Sequence, residues 1–272
     1  MTIEPFDSTN ADGVRFIDLS VPIQEPVEGE LVGSLAANLA AKIEYRDHDV
    51  LMPRALDAFG CEPEDLPDGK AWASELLTLT THAGTHIDAP WHYFPTCEGR
   101  PSKTIDEVPL SACFGDGVVL DLTAFGPGER VGRDAVEGAV EATGQPLKAG
   151  EIVLLRFDGD LAFGTGKYWT EYPGLSAEAT IWLCDQGIKT MGTDAVGFDR
   201  DFDSSKRDFA ENHDASLLWE AHRVGIDREY FHMEKLANLR LLPPRGFKVS
   251  CFPVRIRAAS AAWIRAVAII GL

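Results

Sequence analysis

The chain has 272 residues, of which 45% are hydrophobic and 25% are charged, as in a globular protein with a sizeable core. Its formal net charge is -18. Nucleic acid and anionic membrane surfaces are excluded as expected partners, because binding to either requires a cationic patch.

The N-terminal residues 1–13 are polar and acidic, unlike the start of a signal peptide. The longest apolar runs, residues 118–120 and 266–270, are too short to cross a bilayer. The cysteines are scattered without a Cys-x-x-Cys pair, at positions 61, 97, 113, 184 and 251. This pattern is typical of reduced thiols, and we expect a cytoplasmic protein.

The first third of the chain combines one predicted strand with a long irregular stretch. Residues 15–20 alternate as a strand does. Several prolines interrupt residues 22–70, within which the alanine-rich segment Leu35–Ile43 predicts a helix. We interpret 22–70 as an irregular insert of loops and short helices that covers one side of a single domain, 1–272.

Regular elements follow to the end of the chain. Strands are predicted over residues 75–81, 117–122, 151–157, 188–192, 248–257 and 263–270. Helices are predicted over 134–142, from the cap Ser176 to Gln186, and over 215–224 with Asp214 as cap and Gly225 as stop. This mixture indicates an α/β fold, a single domain with a mixed β-sheet.

Three histidines and an aspartate lie within eleven residues, at His82, His86, Asp88 and His92. Imidazole nitrogens and carboxylate oxygens suit an ion such as zinc. Gly84 and Pro90 disfavour a long helix, so a strand end that turns into a loop would gather the first three around one point. The alternative is a loop of mutually hydrogen-bonded histidines, which leaves their density unexplained.

Other catalytic signatures are incomplete. His82 and His86 have the spacing of a helical zinc protease motif, but Ala83 occupies the position of its catalytic glutamate. The segment 174–178 begins like a serine hydrolase turn and ends in Glu178 instead of glycine. Residues 126–132 miss the dinucleotide-binding glycine pattern by one position.

The segment 82–92 resembles the signature His-x-Gly-Thr-His-x-Asp-x-Pro-x-His of the cyclase family of metal-dependent hydrolases, at every fixed position. That family includes bacterial kynurenine formamidase and isatin hydrolase. Further similar segments follow in the family's order, at residues 17–20, 172–176, 192–194, 221–223, 242–247 and 265–269. The resemblance implies a swivelling β/β/α fold and a homodimer or homotetramer.

Carried over residue by residue, the resemblance implies that His82, His86 and Asp88 bind a first ion. His222 and Glu234 would complete a two-ion site with Asp88 as the bridge. Other branches of the family hold a single ion, so we expect one or two divalent ions, Zn²⁺ or Mn²⁺. The resemblance makes His92 the catalytic histidine, and an imidazole can exchange a proton near neutral pH.

We therefore expect a metal-dependent hydrolase that cleaves an amide bond, in a cyclic amide or imide or in an arylformamide, by a metal-activated water. A lactone hydrolase or a cyclase acting on a cyclic ester would use the same ligands. A metal-binding protein without catalysis is a third hypothesis, against which the presence of His92 argues.

Two regions differ from the family pattern: residues 22–70 are longer, and residues 158–169 have a different composition. The substrate is therefore not carried over with the metal chemistry. Trp91 and Tyr93 flank His92, and we expect them to line the pocket of a small cyclic or aromatic substrate.

Overall fold

The computed structural model describes residues 6–31 and 39–272. The strands are β1 Asp7–Thr9, β2 Arg15–Asp18, β3 Lys42–Arg46, β4 Ser74–Thr78, β5 His86–Asp88, β6 Thr96–Cys97, β7 Arg100–Pro101, β8 Phe114–Asp121, β9 Arg130–Val131, β10 Ile152–Arg156, β11 Gly174–Leu175, β12 Thr190–Thr193, β13 Phe231–Glu234, β14 Phe247–Ser250, β15 Ala261–Trp263 and β16 Val267–Ile270. The α-helices are α1 Met52–Phe59, α2 Pro90–Tyr93, α3 Arg133–Ala142, α4 Gly166–Thr170, α5 Ala177–Asp185, α6 Phe202–Asn212 and α7 Glu220–Val224.

The central sheet has the strand order β1-β2-β16-β14-β8-β10-β12-β13-β5-β15. Its middle strands β8, β10, β12 and β13 are parallel, and the flanking strands are antiparallel. Two of the middle strands carry continuous buried apolar runs, residues 118–120 in β8 and 152–155 in β10, as expected where both faces of a parallel sheet are covered. The predicted α/β fold with a mixed sheet is confirmed.

Alternate residues of β8 and β10 enter two different cores. Val118 and Val153 pack with residues of α3, α5 and α7 on one face of the sheet. Val119 and Leu154 face a second core, formed mainly by the flanking strands and the loops beside them. Helices α3, α5 and α7 thus cover one face of the sheet, and the flanking strands of the curved sheet cover the other.

The sheet is strongly curled. β15 and β16 stand seven positions apart in the strand order, which is roughly 34 Å in a flat sheet with strands 4.8 Å apart. Only residues 264–266 join them, and that link reaches at most about 15 Å. Backbone hydrogen bonds close the curl, from Leu19 N to Ala266 O at 2.8 Å and from Ala237 N to Leu19 O at 2.9 Å.

The structure corrects the interpretation of residues 22–70 as loops and short helices. Within them, β3 pairs with β4 as an antiparallel ribbon, from Lys42 opposite Thr78 to Arg46 opposite Ser74. The C-terminal end of the predicted helix Leu35–Ile43 is therefore wrong, since Lys42 and Ile43 belong to strand β3. Residues 35–38 of that prediction lie outside the described residues. Residues 42 and 43 form a strand because they pair with β4, about thirty residues later, and local composition does not reveal this pairing.

The predicted helix over residues 215–224 is also wrong as a continuous element. Asp214 caps its start as predicted, accepting a hydrogen bond from Ser216 N at 2.9 Å, but only a short 3₁₀ turn follows. Trp219 then has φ +59°, a left-handed conformation in which an α-helix cannot continue. α7 starts afresh at Glu220, and this break sets the direction in which His222 leaves the backbone.

The remaining helix predictions are confirmed, and Ser176 caps α5 by accepting a hydrogen bond from Ala179 N. The last two predicted strands are shorter than expected: β14 ends at Ser250, and residues 263–270 divide into β15 and β16 because the chain crosses the curl there. The cysteines are free, as predicted. Across residues 6–31 and 39–272, every helix is too short or too polar to cross a membrane.

A buried acidic cluster lies at the carboxyl ends of β10 and β12. Ligand-type oxygens of Asp158, Asp160 and Asp194 lie within 4.8 Å of one another. Burial raises the pKa of Asp194 to about 8, and the charge of Asp160 adds to the effect, although two backbone N–H groups donate to the carboxylate. Asp194 therefore keeps its proton in the folded protein at pH values where an unfolded chain has lost it.

We expect the free energy of unfolding to fall as the pH rises from about 3.8 to about 8, because the unfolded chain releases this proton first. One pKa unit corresponds to about 1.4 kcal/mol, so the effect amounts to a few kcal/mol. Denaturant unfolding at pH 5 and pH 8 measures it. Asp194→Asn should flatten the fall relative to wild type and to the exposed control Asp203→Asn; equal slopes in all three would contradict the assignment.

Candidate metal centre

Two neighbouring antiparallel strands supply four ligand-type side chains to one face of the sheet. In β5 and β13, Asp88 lies opposite His232 and His86 lies opposite Glu234. Residues directly opposite each other project to the same side, and so do residues two apart on one strand. All four side chains are buried. The strand register alone therefore gathers two imidazoles and two carboxylates.

Three more histidines reach this face from outside the two strands. His82 lies in the turn before β5, where Gly84 has φ +62° and an added Cβ would lie 3.1 Å from Ile23. His92 lies in α2 and His222 in α7. The sequence-predicted ligands and His92 are thus brought together.

Six of the seven side chains form two groups that share Asp88. His86 belongs to neither, and its Nε2 lies 3.4 Å from Asp88 Oδ1 and 3.6 Å from Glu234 Oε2. The inner group is Asp88, His222, His232 and Glu234, whose donors lie within 4.8 Å of one another and are all buried. The outer group is His82, Asp88 and His92, with the same spacing. The side chains of His82 and His92 are 20% and 25% exposed, so the outer group is the side that opens towards solvent.

Asp88 is the centre of both groups. Its Oδ1 lies 3.0 Å from His82 Nδ1 and 3.4 Å from His86 Nε2. Its Oδ2 lies 3.1 Å from His232 Nε2 and 3.8 Å from His92 Nε2. Each carboxylate oxygen therefore faces two imidazoles, and Asp88 contacts members of both groups.

The imidazoles are held by hydrogen bonds on the side away from Asp88. His86 Nδ1 donates to Gly84 O at 2.9 Å, and His222 Nδ1 donates to the carboxylate of Asp199. These bonds fix the tautomer, leaving the other nitrogen free to bind an ion. Tyr93 Oη lies 3.1 Å from His232 Nδ1 and 3.5 Å from the Asp88 carbonyl, to which it donates.

The residues fit a divalent cation. Within the described part of the chain, both Asp88 oxygens, His86 Nε2 and His232 Nε2 are buried without a hydrogen-bond partner, an arrangement that costs free energy unless something binds them. Neighbouring donor atoms are 3.0–3.9 Å apart. Two ligand atoms of a tetrahedral ion with bonds of 2.0–2.1 Å are expected to lie about 3.3 Å apart, which is similar. Imidazole with carboxylate is a donor set of zinc and of similar ions.

The protonation states of Asp88, His86 and His92 agree with this fit. Burial opposes ionisation of Asp88, but the adjacent His86 and His92 hold its pKa well below the usual value. Burial also lowers the pKa of His86, and it lowers the pKa of His92 to about 4. Anionic carboxylates and neutral imidazoles are the forms that bind metal ions. His232 differs, because burial opposes a positive charge on it but the carboxylates of Asp88 and Glu234 raise its pKa to about 9.

Lys235, which was not predicted, lies beside the cluster. It is buried with φ +58°, its Nζ lies 3.6 Å from Glu234 Oε2, and it donates to the His82 carbonyl at 3.2 Å. It also lines a cavity of about 420 Å³, which includes space open to solvent. The aromatic residues of that wall are Phe163, Tyr168 and Trp169.

The predicted substrate residues occupy different positions. Trp91 is 45% exposed on the surface and Tyr93 is buried, and neither lines this cavity. The Tyr93 hydroxyl contacts His232 instead, which is the position of a residue that orients a ligand. Trp219 is nearer to the outer group: its ring lies 5.4 Å from that of His92 and stacks on His222 at 4.5 Å.

His232 was missed by sequence reasoning. It was visible only as part of the run 232–235 that contains Glu234. The usable signal was its spacing: His232-x-Glu234 has the same period of two as His86-x-Asp88, so two paired strands place all four on one face.

Comparison with known proteins agrees with this geometry. A family profile described as "Putative cyclase" matches residues 17–200. The chain belongs to the cyclase family. It is 28% identical over 195 residues to the kynurenine formamidase of Salinibacter ruber, which covers 70% of this chain and 77% of that protein. It is 26% identical over 216 residues to the isatin hydrolase of Roseibium aggregatum, covering 75% and 77%.

Solved structures share the fold of this cyclase family member. An isatin hydrolase bound to the product analogue thioisatinate superimposes with a TM-score of 0.71 at 21% identity, over 94% of this chain and 92% of that one. Isatin hydrolase A from Ralstonia solanacearum gives 0.71 at 22%, over 95% and 93%. The predictions of the family and of a hydrolase are confirmed.

Asp199 provides a test of the metal centre, because it holds the imidazole of His222 from behind. We expect Asp199→Asn to lower the affinity for Zn²⁺ by about 10–100-fold, the usual cost of losing such a partner. Titration against a competing chelator measures this affinity. The control Asp203→Asn, an exposed residue of α6, should bind like wild type. Unchanged affinity in the Asp199 variant would show that His222 does not depend on this bond.

Proposed function

We propose that this protein hydrolyses the amide bond of a small cyclic or aromatic molecule with Zn²⁺ or Mn²⁺, one or two ions, bound by His82, His86, Asp88, His222 and Glu234. The observation that carries the proposal is the convergence of buried, partnerless nitrogen and oxygen atoms on Asp88. Their burial is stable once a cation is present, and the same donors then keep a position open on the side of the outer group.

A divalent ion held by these residues would supply Lewis acidity, which would polarise a carbonyl and lower the pKa of a water molecule from 15.7 towards about 7. The chain's own residues must then position the substrate and move a proton. His92 is suited to this by its position beside Asp88, and burial, which lowers its pKa, keeps the imidazole in the neutral form that can accept a proton. It lies at the exposed side, with Nε2 at 3.8 Å from Asp88 Oδ2. The same imidazolium can return the proton to the leaving nitrogen.

The substrate class is supported by the relatives and by the aromatic residues around the outer group. Two relatives are named for the hydrolysis of a formamide and of isatin, both amides. Trp219 presents an exposed ring next to His92, and Trp91 lies one residue before it. We propose these two tryptophans as substrate contacts, and Tyr93 as a residue that orients His232 behind them.

The finer points of the protein's setting are also proposals. We propose that the chain, 1–272, acts as a single domain in the cytoplasm, where its free cysteines stay reduced. A homodimer or homotetramer is proposed from the family resemblance.

The reaction can be tested with purified protein and a panel of arylformamides, cyclic imides and lactones, before and after a chelator. We expect turnover of an amide with release of amine or ring-opened acid, complete loss after the chelator, and recovery on adding Zn²⁺ or Mn²⁺. Turnover of lactones alone would make the protein an ester hydrolase on the same ligands. Full amide turnover in metal-free protein would refute the proposal.

We expect His92→Ala to keep its metal content and to lose turnover by roughly 10²–10⁴-fold, the usual contribution of a general acid–base residue. Elemental analysis and steady-state rates on the same preparation separate the two effects. His213→Asn is the control, since His213 is exposed and left-handed and asparagine tolerates that conformation. Loss of metal from the His92 variant would make His92 a ligand instead.

A further inference from the structure

His232 is placed differently from the other histidines outside the signature segment. It is fully buried, on a sheet strand, opposite the carboxylate that both groups share. The ligand set that the family resemblance implies does not include it. Its ring is fixed on two sides by stacking, against Phe198 at 4.5 Å and against Tyr93 at 5.2 Å.

Its two nitrogens have unequal surroundings. Nδ1 is hydrogen-bonded to Tyr93 Oη at 3.1 Å. Among residues 6–31 and 39–272, Nε2 is buried without a hydrogen-bond partner, although it lies 3.1 Å from Asp88 Oδ2 and 3.2 Å from Glu234 Oε1. A core histidine placed only for packing would have both nitrogens satisfied or one in water. Nε2 instead points at two carboxylate oxygens, and one of them, Asp88 Oδ2, has no hydrogen-bond partner among the described residues.

From this geometry we infer that His232 is a fourth protein ligand of an inner ion, together with Asp88, His222 and Glu234. The inference rests on the proposed metal centre and adds a residue to it. Four protein ligands around one position leave no place for substrate, as in structural zinc sites, whereas the outer group keeps an open position. The two ions would therefore differ in role: the inner one fixes Asp88, and the outer one meets the substrate.

The hydrogen bond from behind supports a ligand role. Ligating imidazoles nearly always have their second nitrogen bonded to an oxygen, which sets the tautomer and the ring orientation. His222 has this arrangement with Asp199, and His232 has it with Tyr93. The inner group thus has two imidazoles, each held by its own partner, at a ring-centroid distance of 4.6 Å and nearly perpendicular.

A competing arrangement has a different and measurable consequence. A protonated His232 could pair with Asp88 and Glu234 as an imidazolium, and its charge would then exclude an ion from the inner group. Such a protein would bind one ion, in the outer group only. The number of ions and the residue that each depends on therefore distinguish the two arrangements.

The experiment compares His232→Gln with His82→Gln, the same substitution in the outer group. Protein stripped by a chelator is reloaded with Co²⁺, passed through a desalting column, and analysed for metal per chain, for release into a chelator and for its visible spectrum. We expect wild type to hold one slowly released ion with the intense absorption of four-coordinate Co²⁺. His232→Gln should lose this ion and its spectrum, with an affinity reduced by more than the 10–100-fold cost of an outer partner. His82→Gln should keep it.

Tyr93→Phe is a second variant, which keeps the imidazole and removes only its hydrogen bond, so it tests the inference even if His232→Gln does not fold. We expect about 10-fold faster release of the slow ion from this variant. A slow ion that His232→Gln or Tyr93→Phe retains unchanged, or one ion that only His82→Gln removes, would overturn the inference. Hydrolysis and metal binding by wild type would still stand in that case, whereas a wild type without metal would refute the proposed function itself.

Discussion

The buried carboxylate of Asp88 is the constraint on which the centre of this molecule depends. It is ionised in the interior, and no residue that the structure describes hydrogen-bonds to either of its oxygens, an arrangement that is stable only if positive charge is supplied to it. The surrounding histidines, the register of β5 with β13, and the breaks that aim His82 and His222 all serve that requirement. On and beside the neighbouring strand β13, the carboxylate of Glu234 is likewise close to a positive charge, that of the buried Lys235.

Much of the centre could be predicted from the sequence, because its first half is local. His82, His86, Asp88 and His92 are close along the chain, and a glycine and a proline limit the backbone between them. His222 and Glu234 are more than a hundred residues away, and only the family resemblance connected them to the segment. His232 needed the pairing of β13 with β5, and strand register is a property of the folded sheet that composition does not encode.

The fold followed the same division. Apolar runs and caps located β8, β10, α3 and α5, since burial and capping are visible in short windows. The ribbon of β3 with β4 and the break at Trp219 were not visible, because each depends on contacts far along the chain or on one unusual backbone angle. The substrate side suffers most from this limit. Trp219 is far from His92 in sequence, yet its ring lies next to that of His92 in space.

The closure of the curled sheet has a further consequence. The chain segment that closes it, residues 19–21, bonds to Thr85 just before β5 and to Ala237 just after β13. An ion bound by residues of β5 and β13 would therefore also stabilise the contacts by which residues 19–21 close the curled sheet. Metal binding and closure of the sheet would therefore be coupled. The apoprotein would unfold first at the contacts of residues 19–21, and the fraction of protein with bound ion would determine the lifetime of the folded chain in the cell.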